Sequence, residues 1–234
     1  REIAEAAGRK RVLLATEFLE VKSTLVAART LKRLFEKQEE RFPGLCAIAA
    51  RLPEPLGLVD VISKTISERG DVLDDASPEL ARIRKESKIV HDRLLTKMNR
   101  LLNSKSLAPH IQDAIVTQRD GRYVIPLRAD AKGRVKAVVH DVSASGATIF
   151  AEPISAVDLN NDWRELQAAE RDEERRVLAA LTEQVGAHEK DLQAAVEAIA
   201  ELDLAFAKAH YARALRAVQP ELKPFHQVSK GYTR

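Results

Sequence analysis

A single cysteine, Cys46, excludes an intramolecular disulfide and a cysteine-rich metal site. Aromatic residues make up only 4% of the 234 positions, with nine glycines and nine prolines. A β-sandwich or barrel needs more turns and aromatics than this. No run of about 18 apolar residues occurs, so no membrane span and no membrane partner is expected. No glycine precedes a lysine, which excludes the G-x-x-x-x-G-K-[ST] phosphate loop, and there is no G-x-G-x-x-G. The six histidines, His91, His110, His140, His188, His210 and His226, show no ligand spacing, and His188-Glu189 lacks a metalloprotease's second histidine. Cys46 has no catalytic signature around it and reads as a small buried hydrophobe. His140-Asp141 reads as a structural histidine beside an acid, and Ser143-Ala144-Ser145-Gly146 as turn chemistry. No active site, metal or cofactor is expected in this chain. It begins at Arg1 without a signal peptide's apolar core, so a segment of a longer cytoplasmic protein is expected.

What the sequence does hold is material for helices. Hydrophobic residues are 45% and charged residues 31%, with Ala, Leu, Glu, Arg and Lys dominant. Net charge is +3, but it is unevenly spread. Arg82 to Lys105 contains eight basic residues against Glu86 and Asp92, whereas Ser155 to Ala217 contains eight basic residues against thirteen acids. Such segments suit helices lying side by side, a basic surface facing a polyanion, or plain solvated faces.

Residues 1 to 40 predict one helix, with Leu14, Phe18, Val21, Leu25, Ala28, Leu31 and Phe35 three or four apart and Pro43-Gly44 as the stop. Leu45 to Ala50 is a short apolar stretch, Pro53 and Pro55 open a short helix through Ile66, and Glu68 to Ala76 is a loop. Ser77-Pro78-Glu79 combines an N-cap oxygen, a proline suited to the first helical position and an acid at the positive helix end. The helix it starts should run to Leu107, a rod of roughly 46 Å, buried through Leu80, Ile83, Val90, Leu94, Met98 and Leu101.

The period then changes to that of strands. Ile115 to Arg119 and Arg122 to Arg128 flank Asp120-Gly121, a strong hairpin signal. Pro126 cannot donate to a ladder, so its strand, or at least that side of it, lies at an edge or an irregularity. Val135 to Val142 and Ala147 to Ala151 complete four strands, and the short loops predict antiparallel neighbours. From Ser155 to Val218 the helical period returns, about 96 Å if straight, with Gly186 as the candidate kink. Ser155 to Val185 matches the first rod in length, so the two should pair antiparallel with the sheet at their tip. The expected fold is mainly α: long antiparallel helices with a small four-stranded antiparallel β subdomain inserted at the tip. The expected divisions are core helices over 1–76, a first long helix over 77–110, the sheet over 111–153, a second long helix returning to the core over 154–218, and a linker or tail over 219–234.

The sheet carries Arg119, Arg122, Arg128, Lys132, Arg134 and Lys136 against Asp120, Asp130, Asp141 and Glu152. Turns at opposite ends of a strand point opposite ways, so the two basic clusters need not meet one ligand. Cations on a protruding tip contact phosphates and give affinity without sequence readout. Ordinary soluble turn charge is the alternative. Tyr123 and Phe150 read as core residues.

Gln118-Arg119-Asp120-Gly121-Arg122-Tyr123-Val124-Ile125-Pro126 and Val139 to Pro153 resemble the clamp region of MutS-like proteins, within them the bacterial MutS-two family, which lacks the mismatch-reading N-terminal domains. Asp71 to Leu80 is similar to that family's entry into the first lever helix, and Leu159-Asn160-Asn161 to its return after the clamp. The likeness covers about residues 10 to 220; Lys223 to Arg234 depart from it. It implies a lever-and-clamp region in which the paired levers form a coiled coil. Family members are homodimeric ATPases that bind duplex or branched DNA and suppress recombination, and many carry a C-terminal nuclease domain. Some are implicated in splitting collided ribosomes. ATP and Mg would then belong to the parent protein, whose ATP-binding and nuclease residues fall on no position of this chain. A DNA-repair protein of the cytoplasm, associated with the nucleoid, is implied. The candidate nucleic-acid contacts are Lys105, Arg119, Arg122, Lys132, Arg134 and Lys136. Rival readings are contact of the same tip with ribosomal RNA, and a purely structural lever transmitting ATPase state.

Overall fold

A computed structural model of the chain describes residues 1–54 and 56–218. Pro55 and the expected tail over 219–234 lie outside the described residues. In chain order the elements are α1 (Glu2–Gly8), α2 (Ala15–Phe35), α3 (Pro43–Ala49), α4 (Leu58–Thr65), α5 (Pro78–Leu102), β1 (Thr117–Arg119), β2 (Arg122–Arg128), β3 (Ala137–Val142), β4 (Thr148–Pro153), α6 (Val157–Ala187) and α7 (Glu189–Leu215). The fold is mainly α with one small four-stranded antiparallel sheet. No helix among the described residues is long and apolar enough to cross a membrane.

Two compact units form: Arg1–Ser23 with Leu56–Glu189, and the described parts of 24–55 with those of 190–234. In the second, α2, α3, the turn after α3 and α7 contribute Ala28, Phe35, Ala49, Leu52, Ala195, Ala198 and Leu202 to one buried cluster. Arg51 pairs with Glu201 there, and Lys32 Nζ donates to Leu52 O at 2.9 Å.

The single helix expected over residues 1 to 40 is instead two. The chain leaves α1 through Lys10 at φ 60°, in the left-handed region. Glu17 then caps the next helix, its Oε2 accepting from Leu14 N at 2.7 Å while Oε1 accepts from Arg11 Nη2 at 2.6 Å. Pro43-Gly44 does not merely stop a helix. Proline's fixed φ and missing N–H suit the first helical turn, and Pro43 opens α3.

The expected cap of α5 forms: Ser77 Oγ accepts from Leu80 N at 2.9 Å. Leu80, Ile83, Leu94 and Met98 are buried, as their spacing predicts. The helix ends at Leu102 rather than Leu107, because Ser104 takes the Leu107 N–H with both its carbonyl and its hydroxyl and turns the chain. At 25 residues α5 is about 37 Å long, and the 31-residue α6 about 46 Å, so the rods are unequal. They still pair antiparallel. Ser77 bonds Glu173, Arg84 reaches Glu170 and Glu174, and His91 lies against Trp163.

Gly186 is not the break between the last helices; the chain departs from helix at His188. Gly186 serves close packing instead. A Cβ there would lie 2.8 Å from the carbonyl oxygen of Ala7, so only glycine lets α1 approach α6 this closely.

The Asp120-Gly121 hairpin forms, with φ of 48° and 71° at its two central residues, as a type I′ turn requires. The strand order is β1-β2-β4-β3, so β2 and β3 are not the neighbours their short connection suggested. Ala131 and Val135 in that connection enter the core beneath the sheet, which carries the chain past the place β4 takes. Pro126 lies in an interior strand, but opposite the end of β1, whose pairing stops at Val124. Its carbonyl accepts from Gln112 N at 3.0 Å on that side, where an isolated bridge between Ile111 and Leu127 stands in place of a continuous ladder and the missing donor is tolerated. The helix-facing side of the sheet buries Ile125, Leu127, Ile149 and Ala151 against Leu94, Met98 and Trp163. The sheet therefore sits over the end of the α5–α6 pair where α5 finishes and α6 begins.

Candidate nucleic-acid interface

Alternation along β2 and β4 puts Tyr123, Ile125, Ile149 and Ala151 toward the helices and Arg122, Phe150 and Glu152 on the other face. On that face a polar network ties three strands to α6. Glu152, 1% exposed, accepts from Arg122 Nη1 at 2.9 and 3.1 Å, from Asn160 Nδ2 at 2.7 Å, and has His140 Nε2 2.6 Å from its Oε2. Arg122 Nη2 donates to Asn161 Oδ1 at 2.6 Å. Asn160 clamps the Tyr123 backbone, accepting from its N at 2.9 Å and donating to its O at 3.1 Å. Tyr123 in turn meets both helices, its hydroxyl 2.7 Å from His91 Nε2 on α5 and its ring centroid 5.1 Å from that of Trp163 on α6.

His140 is a structural histidine beside an acid, but the acid is Glu152 and not its neighbour Asp141. The register of β3 on β4 slips between Val139 and Asp141. This bulge turns two consecutive side chains, His140 and Asp141, to one face. Asp141 there takes Arg119, whose Nε lies 3.1 Å from Oδ2 and whose guanidinium stacks 3.9 Å from the Phe150 centroid. Phe150 is thus half-buried beneath a cation.

The expected contact residues divide accordingly. Arg119 and Arg122 are register partners beside the hairpin, at the end of the sheet where β4 hands over to α6, and each guanidinium is held by an acid. Arg128, at the opposite end, pairs with Asp130. Lys132, Arg134 and Lys136 run along the β2–β3 connection from the far end back toward the hairpin end, where Lys136 O accepts from Ile154 N. They and Lys105 are exposed and have no ion-pair partner among the described residues.

The helices beneath show the same division. Arg82 on α5 is held by Glu79 and Glu86. Burial disfavours the Arg84 cation, but hydrogen bonds to Asp74, Glu170 and Glu174 outweigh that and raise its pKa. Hydrogen bonds from Arg176 and then Ser77 hold the Glu173 carboxyl down at about 2. Among the described residues no group of three or more His, Cys, Asp or Glu could hold a metal ion.

The Glu152 network joins residues 8 to 39 positions apart, beyond the reach of any local sequence pattern. The one signal was that Arg122-Tyr123, His140, Glu152 and Asn160-Asn161 all lie in the strings that carry the family likeness.

No family model matches the chain. Curated relatives do match. An Endonuclease MutS2 of Thermomicrobium roseum is 47% identical over 225 residues, 95% of this chain. Proteins of the same name from Halalkalibacterium halodurans and Symbiobacterium thermophilum are 40% identical over 94% and 37% identical over 99% of it. The chain corresponds to one segment of MutS2 proteins. It spans 28 to 29% of the length of these MutS2 relatives.

Proposed function

We propose that this chain is the part of a MutS2-type protein that grips nucleic-acid backbone, with Lys105, Lys132, Arg134 and Lys136 as the phosphate contacts. One observation carries the reading. These four cations are exposed and have no ion-pair partner among the described residues, while Arg119, Arg122 and Arg128 of the same sheet are each held by an acid. The paired arginines set the shape of the sheet and the unpaired residues supply charge. Contacts of this kind position a duplex without reading its sequence. Two copies in a homodimer would grip duplex or branched DNA from both sides. ATP, Mg and nuclease chemistry belong to the remaining length of the MutS2 relatives, and suppression of recombination would follow from holding branched DNA.

The test is duplex DNA binding across a salt series, for the full chain and for a K105Q/K132Q/R134Q/K136Q variant. Each lost phosphate contact should make the plot of log K against log salt shallower by about 0.9, up to about 3.6 in all. A variant with an unchanged slope would overturn the assignment. Stronger binding to ribosomal RNA than to DNA would move the function to the ribosome.

A further inference from the structure

We infer that α5 carries a second phosphate-binding stripe, made by Arg93, Lys97 and Arg100, that holds the backbone of a duplex nucleic acid. The inference rests on the backbone-gripping reading and extends it from the sheet to the helix beneath.

Both arginines in the first half of α5 are held by acids, whereas the exposed Lys85 there has no ion-pair partner among the described residues. Arg82 lies between Glu79 and Glu86, and Arg84 gathers Asp74, Glu170 and Glu174. Beyond Glu86 no cation of α5 is matched by an acid among the described residues. Lys88, Arg93, Lys97 and Arg100 have no ion-pair partner among the described residues, and Asp92 is the one acid between Ser87 and Lys105. Arg93 and Lys97 are four apart, and Lys97 and Arg100 three apart, so like charges are neighbours on the helix surface and destabilise it. The helix dipole accounts for Arg100, in the last turn, but not for Arg93 two turns earlier. An anion would relieve the repulsion.

Geometry gives the anion a place. Arg93, Thr96, Lys97 and Arg100 line one shallow concavity with Asp92 and with Leu159 at the start of α6. The three cations extend over about 10 Å of helix, enough to meet more than one phosphate of a backbone. A single small anion would not need a row of this length. Lys105, three residues past the helix end, continues the charge toward the sheet.

The experiment measures binding of a 20-base-pair DNA duplex, and of an RNA duplex of the same sequence, by the full chain across a salt series. A R93Q/K97Q/R100Q variant should lower the log–log salt slope for DNA by about 2.7, and a R93K/R100K variant should keep it. Which duplex loses more tells which nucleic acid the stripe holds. Should the triple variant lose helicity, the single K97Q variant carries the test, with an expected drop of about 0.9. An unchanged slope in the α5 variants, beside a shallower one in K132Q/R134Q/K136Q, overturns the stripe and leaves the sheet reading standing. Binding by the wild-type chain that ignores salt overturns both.

Discussion

At the scale of single residues, Glu152 shows what the sheet's polar face is for. Its carboxylate is enclosed, and Arg122, His140 and Asn160 converge on its two oxygens. Removing one member of a buried charged pair leaves the others desolvated without a partner, which costs about 3–5 kcal/mol. Glu152→Ala should therefore lower unfolding free energy by about 3 kcal/mol in urea denaturation. Lys132→Gln, an exposed change, should stay within about 0.5 kcal/mol. Equal midpoints for the two variants would mean that the network does not hold the sheet. Arg122 also shows where residue reading stops. Its charge and its place beside a turn are legible in Arg122 alone, but its acid lies 30 positions away, and only the fold reveals that the charge is already matched.

At the scale of elements, local chemistry was readable and pairing was less so. Ser77-Pro78-Glu79 starts α5 and Asp120-Gly121 turns the hairpin because each signal acts within a few residues. The strand order β1-β2-β4-β3 depends on Ala131 and Val135 entering the core, which no local rule encodes. The break after α1 likewise depends on a remote partner: Leu13 N donates to Thr182 Oγ1 on α6 at 3.0 Å. The seam between α5 and α6 makes a pH prediction. Glu173 titrates at about 2 in the folded chain, below its ordinary 4.5, because Arg176 and Ser77 hold the ionised form. The unfolded chain then takes up this proton first as pH falls. The stabilisation is complete above about pH 4.5 and is lost as pH falls from there toward 2. Thermal melts should show wild type ahead of Glu173→Gln at pH 6, with the gap closing over that acid window. A gap independent of pH would remove the carboxylate from the seam's energetics.

At the scale of the whole molecule, charge distribution carries the functional account. Net charge is only +3, so bulk electrostatics alone would draw polyanions weakly. The difference lies in which cations are matched. The basic sheet residues are readable from the sequence, but sorting them into the paired Arg119, Arg122 and Arg128 and the unpaired Lys132, Arg134 and Lys136 requires the ion pairs of the fold. The most direct measurement is acetylation of lysines in the full chain, with and without saturating duplex DNA, read residue by residue. Lys105, Lys132 and Lys136 should be protected by DNA, while Lys64 and Lys208, exposed on other helices, should react as before. Unprotected Lys132 and Lys136 on DNA-bound protein would contradict the account.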